Sequence, residues 1–565
     1  MSETSKKQTF LHGTALLALA TAAVKLIGAL YKIPLNAIIG VQGFGYFNTA
    51  YQIYNVLLMI STAGLPVAMS RMISQASSLG NYRQVRKVYT TARAIFIALG
   101  LISAVLMGAF APVLAEAMGQ PNATAAIAIL APSSFLICLM STYRGFFQGQ
   151  GNMKPTSISQ VLEAVIKLIV GIAAAVLIKF YTDSIPLAAG GAIFGVTMSC
   201  LISSFYLNHC YRKAARDLPV TQDDPEPTSH IAKGLLAIAI PITIGSAGLQ
   251  LLTTLETGIY MDRLFSNADS TMGPAALLQQ LEIYKYVDQI DGKLISELTR
   301  SDAIQFVIDT QKGIYDMTMT IFNMPCAFIT PITISIIPAI TAQITTGDHK
   351  AAKTTGESAA RVTALISMPC AMGLLVLAEP VTALLGGYSG AMLTLATSLM
   401  RVLGVCIAFN AIVLLTNAIM QAHGHVVLPV INMFVGGFLK LAAIWILTGN
   451  PHIGILGTPI GSLLCYASIT ILNLITMRRI LPQAPAILKN ILRGFLSAAI
   501  MGIITFGCWY GLKMLGIGSS IILCGGPIMV GVVVYLVCAI KLRAITREDC
   551  LLLPKGQKIA DLLHL

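Results

Sequence analysis

Tyr51-Gln-Ile-Tyr-Asn55, followed by an apolar run and then Gly80-Asn81-Tyr82-Arg83, returns later in the chain as Met319-Thr-Ile-Phe-Asn323 and Gly347-Asp348-His349-Lys350. A second echo follows at a matching interval. Gln148-Gly-Gln-Gly151 with Lys167 is repeated as Gln421-Ala-His-Gly424 with Lys440, at the same internal spacing. An internal duplication of this length in an apolar chain is the signature of a two-lobed membrane carrier.

The composition places the chain in lipid. It is 56% hydrophobic and 11% charged over 565 residues, against roughly 25% charged for a soluble domain. The 11 cysteines are scattered singly inside apolar runs, with no CxxC or metal-ligand spacing, and read as small buried hydrophobes. The net charge of +13 is not a nucleic-acid signature. The basic residues collect in short loops between apolar spans, as the positive-inside rule requires. Met1–Phe10 is short and polar without a small-residue cleavage site, so the first apolar run is expected to be a retained helix.

Fourteen stretches approach the roughly 20 residues needed to cross a bilayer: 13–38, 46–73, 92–115, 123–148, 157–179, 186–208, 234–260, 313–341, 362–380, 391–421, 427–448, 453–477, 491–511 and 519–541. The predicted fold is an all-α integral membrane protein. It has an N-lobe over 1–210 (spans one to six), a linker over 211–233 and a C-lobe over 234–480 (spans seven to twelve). Two further spans occupy 481–545 and a tail 546–565. An even number of spans per repeat makes the halves parallel, related by an axis along the membrane normal. Loops after even-numbered spans hold Arg83, Arg86, Lys87, Arg144, Lys154, Arg212, Lys213, Lys350 and Arg478, which puts both termini in the cytoplasm. The polar insertion 262–311 breaks the symmetry. It reads as a solvated loop with a candidate amphipathic helix over Leu277–Val287, or as a lid.

Ionisable residues at membrane depth cost about 2.5–3.5 kcal/mol each on insertion and usually face a cavity or one another. Lys25 and Lys32 lie two turns apart in the first span; Arg401 and Lys440 fall inside later spans; Glu256 lies near the end of the seventh. Glu163 and Lys167, at i and i+4, can pair. Lys32 can instead snorkel to headgroups. A cationic set poor in carboxylates suits an anionic phosphate cargo better than a cation. Pro34, Pro66, Pro241, Pro325, Pro331 and Pro338 each remove a helical hydrogen bond and permit bends in the first two spans of each half.

Tyr143-Arg-Gly-Phe-Phe-Gln-Gly-Gln-Gly-Asn-Met-Lys-Pro155 lacks the strand–loop–helix setting and Lys-Ser/Thr ending of a P-loop. His423 and His425 have no third ligand nearby in sequence and read as solvated. Nothing in the sequence resembles a nucleophile–base constellation, so the reading is a transporter and not an enzyme, with no cofactor.

Gly64-Leu-Pro-Val-Ala-Met-Ser-Arg71, the run Tyr143–Pro155 continuing into Ile158-Ser-Gln-Val-Leu-Glu163, and the tail Leu551-Leu-Leu-Pro-Lys-Gly556 resemble one family over essentially the whole chain. It is the polysaccharide-transport branch of the multidrug/oligosaccharidyl-lipid/polysaccharide (MOP) exporters. The likeness is strongest to its stage V sporulation protein B and YtgP type, relatives of the MurJ lipid II flippases. The resemblance implies a flippase in the bacterial cytoplasmic membrane for an undecaprenyl-pyrophosphate-linked saccharide, foremost the peptidoglycan precursor lipid II. Its implied partners are that lipid-linked cargo, membrane lipids and cell-wall synthesis proteins. It implies a cationic cavity, to which Lys25 matches one arginine position of the first span, while Tyr31 occupies the next and Gly45 an acidic one. The binding set is then Lys25, Lys32, Arg401, Lys440 and Lys167, with Glu163 and Glu256 as coupling or pairing residues. Na+, H+ or Cl− remain open as coupling ion. The alternatives are a multidrug/Na+ or H+ antiporter of the same superfamily, and a non-transporting scaffold in cell-wall or spore assembly.

Overall fold

The computed structural model describes residues 3–62, 64–182, 184–273, 289–290, 293–294, 299–516, 518–542 and 544. Within these, the side chains at 3–23, 25–26, 29, 61–62, 241–242, 244–247, 249, 289–290, 293–294, 330–335 and 338–339 are outside the description. The candidate helix Leu277–Val287, the tail 546–565 and the side chain of Lys25 therefore lie outside the described residues.

The described chain is helical apart from a two-stranded hairpin, Gln289–Ile290 against Lys293–Leu294. The helices are α1 (Glu3–Thr62), α2 (Leu65–Ser78), α3 (Tyr82–Ala109), α4 (Ala111–Ala117), α5 (Thr124–Gly149), α6 (Lys154–Thr182), α7 (Ile185–Arg216) and α8 (Thr228–Thr271). After the hairpin come α9 (Arg300–Thr345), α10 (His349–Val376), α11 (Ala378–Gly386), α12 (Gly390–Ala422), α13 (Val427–Thr448), α14 (Gly457–Ile480), α15 (Ile487–Met514) and α16 (Ser520–Lys541). Among the described residues, eleven segments are long and apolar enough to cross a membrane. The first of them, Leu30–Ser78, holds parts of two predicted spans, and the predicted seventh and eighth lie in α8 and α9. Large apolar side chains are exposed along these helices, such as Phe180, Ile503 and Met529. In water such a surface would aggregate; in lipid it is solvated.

The chain divides into two compact units, Met1–Phe265 with Tyr286–Gly313, and Ser266–Lys285 with Ile314–Leu565. In the first unit, the turn expected over Ile39–Gly45 is reduced to one residue. Gly40 alone leaves the helical region, at φ 73° and ψ 175°, and α1 resumes at once. A left-handed φ is open to glycine without steric cost. Lys179 of α6 donates to the Ile38 carbonyl beside the break, and Lys32 Nζ donates to Asn48 Oδ1 at 3.0 Å across it. Pro66 stands in the first turn of α2, where its missing N–H costs no helical hydrogen bond. Gly64, just before α2, is packed so tightly that a Cβ there would lie 2.1 Å from the Ala239 carbonyl oxygen of α8. α6 and α7 pack through Gly171 and Gly195, where a Cβ on Gly195 would fall 2.4 Å from the Gly171 backbone, and Tyr31 of α1 donates to the Ala192 carbonyl of α7 at 3.1 Å.

The motif Tyr143–Pro155 serves three faces of α5. Tyr143 and Phe146 pack with Tyr89 of α3 and Tyr211 of α7, whose rings stack 4.1 Å apart. Gly145 and Gly149 let α2 approach, with a Cβ on Gly149 falling 2.8 Å from Ile73. Arg144 faces α6. The linker is fastened as well: Asp223 accepts from the first-turn N–H groups of α3 at Arg83 (3.1 Å) and Gln84 (2.8 Å), and Arg86 reaches the Leu218 carbonyl.

The insertion is not wholly a solvated loop. α8 extends to Thr271 and α9 begins at Arg300, so helix occupies both of its ends. On α9, Asp309 and Lys312 are buried. Asp309 accepts from Tyr46 (3.0 Å), Gln120 (3.0 Å) and Gln305 (2.8 Å), and Gln42 donates to Thr310 at 3.2 Å. Polar residues of an insertion read as solvated because the sequence shows no partners; here Asp309 finds its partners in Tyr46, Gln120 and Gln305, and Thr310 in Gln42.

The second unit repeats the turns of the first. Gly80 and Gly347 have φ of 75° and 79°, and Gly151 and Gly424 have 73° and 84°. The bonds match too: Asn81 N to Ala76 O and Gly80 N to Ser77 O recur as Asp348 N to Gln343 O and Gly347 N to Ile344 O. Both are helix endings closed by a left-handed glycine. A Cβ on Gly195 would approach the Lys167 carbonyl, and one on Gly461 the Lys440 carbonyl, so the packing of α6 on α7 is copied by α13 on α14. The two helices beyond the duplication share this unit's core: Ile491, Ala498, Met501 and Tyr535 of α15 and α16 pack with Ala360, Leu415 and Ile419. Arg361 of α10 donates to Asn490 of α15 at 2.9 Å.

Candidate functional site

The first unit encloses a polar cavity of about 360 Å³ among α1, α2, α5 and α6. Tyr51, Tyr54 and Asn55 of α1 form one wall, Arg144 and Gln148 of α5 another, and Glu163 of α6 a third. Arg144 Nη2 donates to Glu163 Oε2 at 3.0 Å, with the two side chains 17% and 25% exposed, and Arg144 Nε donates to Ser159 Oγ at 3.1 Å. The planar guanidinium can hold two acceptors at once in this way. One turn beyond Glu163, Lys167 places Nζ 5.7 Å from the centre of the Tyr51 ring, within cation–π range. Two cations and one carboxylate thus meet at a half-buried place in a bundle of apolar helices.

The expected residues fare differently. Glu163 and Lys167 are brought to one site, but the ion pair that Glu163 forms is with Arg144 and not with Lys167. A neighbouring helix supplies a fork that reaches the carboxylate better than the flexible lysine of its own helix. Lys32 is half-buried, bonded to Asn48 and 5.9 Å from the Phe44 ring at the Gly40 break, so it is engaged in the turn of α1. Glu256 is buried on α8. Arg401 is exposed on α12 and Lys440 half-buried on α13, both in the second unit. Arg144 is the residue that sequence reasoning placed in a loop. Its signal was its position inside the Tyr143–Pro155 motif.

At the place in the second unit that matches Arg144, Ser159 and Glu163 stand Asn417, Asn432 and Gly436, in the register that equates Gly151 with Gly424 and Lys167 with Lys440. There the charges give way to amides. Asn473 Nδ2 donates to Asn417 Oδ1 (2.8 Å) and Thr416 Oγ1 (2.9 Å), and Asn432 Nδ2 donates to Asn473 Oδ1 (2.9 Å). No side chain fits at the glutamate's counterpart, since a Cβ on Gly436 would lie 2.4 Å from Ile469.

Comparison with known proteins bears on this arrangement. A family model described as polysaccharide biosynthesis protein matches residues 10–343, and a second of the same description matches 305–389. The chain belongs to the polysaccharide biosynthesis protein family. It is 24% identical over 558 residues to stage V sporulation protein B of Bacillus subtilis (strain 168), covering 97% of this chain and 98% of that one. It is 24% identical over 452 residues to lipid II flippase MurJ of the same organism, covering 76% of each. The solved structure of lipid II flippase MurJ in an inward closed conformation superposes with a TM-score of 0.63 at 13% identity, covering 94% of this chain and 99% of that one. The fold is therefore shared with a membrane transporter, and the resemblance read from the Gly64–Arg71 and Tyr143–Pro155 motifs, to a MurJ-like MOP exporter close to stage V sporulation protein B, holds.

Proposed function

We propose that this protein is a flippase that carries an undecaprenyl-pyrophosphate-linked saccharide, foremost lipid II, from the inner to the outer leaflet of the bacterial cytoplasmic membrane by alternating access. The observation that carries this reading is the half-buried Arg144–Glu163 pair lining a cavity within apolar helices, with Lys167 one turn away against the cavity-lining Tyr51. Cations at membrane depth are costly and are found where they serve a substrate or ion. Two cations against one carboxylate leave a net positive site suited to phosphate oxygens. The family, and the likeness to a protein named lipid II flippase, support the cargo class.

In this reading Lys167 contacts the diphosphate, and Lys25, Arg401 and Lys440 are further cations on its path. Both termini face the cytoplasm, in keeping with the distribution of Lys and Arg. A gradient of Na+, H+ or Cl− supplies the drive, because a cationic site needs work done on it to release an anion. The test is depletion with complementation: this chain is expressed in a bacterium lacking its lipid II flippase, and lipid II accessible on the outer face is scored. Rescue with restored accessibility is expected. Failure of rescue together with gain of drug efflux would transfer the protein to the multidrug antiporter class.

A further inference from the structure

We infer that Glu163 is a built-in counter-ion that occupies the first unit's anion site when it is empty and is displaced from Arg144 by the phosphate groups of the cargo. The inference rests on the flippase reading and adds to it a residue, Arg144, and a device for release.

The argument begins with the cost of an empty site. A guanidinium held between α5 and α6 loses water that a distant partner cannot replace, and a lone cation there is strongly unfavourable. Glu163 removes that cost by accepting from Arg144 at 3.0 Å. The pair is not sealed. Both side chains line the cavity and retain 17% and 25% exposure, so an incoming oxyanion can reach the guanidinium without unfolding a helix. Gln148 and Asn55 on the same walls offer amide donors, and Lys167 lies one turn away beside Tyr51. A diphosphate has more acceptor oxygens and charge than one carboxylate, so it competes for the arginine fork. When the cargo leaves, the carboxylate returns. Binding is thereby held below the strength that would trap the anion.

The second unit supplies an independent argument that this chemistry is specific to one site. The duplication retains the turns and the packing of α6 on α7, yet at the matching positions it has Asn417 and Asn432, joined through Asn473 in a neutral network, and Gly436, which has no side chain. A merely structural role between these helices is thus filled without charge. The ion pair in the first unit is therefore charged for a reason other than packing.

The test measures binding of inorganic pyrophosphate to the purified full chain in lipid nanodiscs by calorimetry, with undecaprenyl pyrophosphate in the disc as a second ligand. Glu163→Gln removes the competitor while keeping a hydrogen-bond acceptor for Arg144, and is expected to tighten pyrophosphate binding by about tenfold. Arg144→Gln is expected to weaken it at least as much, and the double variant to show no tightening. Asn417→Ala, at the matching place in the second unit, is expected to leave it unchanged. Each variant is compared at matched elution from size exclusion, so that a misfolded protein is not scored. Tightening with the free anion places recognition in the diphosphate; tightening with the lipid-linked form alone adds a requirement for the tail; both support the inference. Unchanged or weaker binding of both ligands by Glu163→Gln would overturn it. Failure of lipid II rescue with the pyrophosphate pattern intact would instead remove the flippase reading and leave the counter-ion device standing.

Discussion

Asn473 Nδ2 lies 2.8 Å from Asn417 Oδ1 in the second unit, at the place where the first unit holds Arg144. The amide of Asn473 is the centre of its network: it donates to Asn417 and Thr416 and accepts from Asn432, while itself fully buried. The duplicated scaffold has kept a polar connection between the matching helices in both units, charged between α5 and α6 in the first and carried by neutral amides in the second.

Truncation of that centre leaves several buried groups without partners at once. Asn473→Ala is expected to destabilise the protein by on the order of 2–4 kcal/mol, since each orphaned polar group costs about 1–3 kcal/mol. Thr476→Val, which removes only a 3.4 Å contact to Asn432, is expected to cost far less. Thermal unfolding of the two variants in detergent, followed by fluorescence-detected size exclusion, checks the order. Equal midpoints would show that water or rearranged amides replace Asn473.

Glycine substitutions separate two physical roles. At Gly64 a Cβ would lie 2.1 Å from the Ala239 carbonyl, and at Gly313 1.9 Å from the Val41 carbonyl. Backbone oxygens cannot swing aside as a side chain can, so Gly64→Ala and Gly313→Ala are expected to cost about 3 kcal/mol or more, at or above the upper end for overpacking. Gly80 and Gly347 have open space but left-handed φ. Gly80→Ala and Gly347→Ala are expected to cost about 1–2 kcal/mol each, alike in both units. Unfolding midpoints in one detergent measure all four.

The linker offers a third prediction. Asp223 is partly exposed, and although desolvation opposes it, hydrogen bonds from Thr221 and from the N–H groups of Gln84 and Arg83 hold its carboxyl below the usual range. A lowered folded-state value contributes stability above the unfolded value, and that contribution is lost as pH falls through the folded one. Asp223→Ala is therefore expected to loosen the linker selectively at neutral pH. Limited proteolysis should cut the variant between Leu218 and Pro227 faster than wild type near pH 7, with the difference shrinking below pH 4. The helix α10 makes a control, because Asp348 caps it locally by accepting from Ala351 at 2.9 Å.

How much of this was legible in the sequence depends on range. Apolar run length and left-handed glycines are local, so the helical passages and the repeated turns at Gly80, Gly151, Gly347 and Gly424 could be read directly. Arg144 could not. Counting Lys and Arg near helix ends assigns it to a loop, while its burial is decided by how α5 meets α6. The i, i+4 rule likewise pairs Glu163 with Lys167, and only tertiary packing brings a better donor to the carboxylate. Asp309 and Gln305 looked like solvated insertion for the same reason: their partners Tyr46 and Gln120 are distant in sequence and invisible to periodicity.

Asp309 carries the last prediction. It lies on α9 ahead of the predicted span 313–341, and burial pushes its carboxyl from 3.8 up to about 6, against the opposing hydrogen bonds from Gln120, Gln305 and Tyr46 and the charge of Lys312. The folded state then binds a proton more tightly than the unfolded chain. Its stability is fully present below pH 3.8, falls as pH rises towards about 6, and is flat above. The shift corresponds to roughly 3 kcal/mol across that window. Asp309→Asn keeps the shape and an acceptor for the two glutamine amides but cannot ionise. Its unfolding free energy relative to wild type should be near its lowest at pH 4 and rise by about 2–3 kcal/mol by pH 7. Parallel wild-type and Asp309→Asn stability curves across pH 4–7 would mean that the carboxylate is fully compensated by its partners and that α9 is held to α1 without a proton.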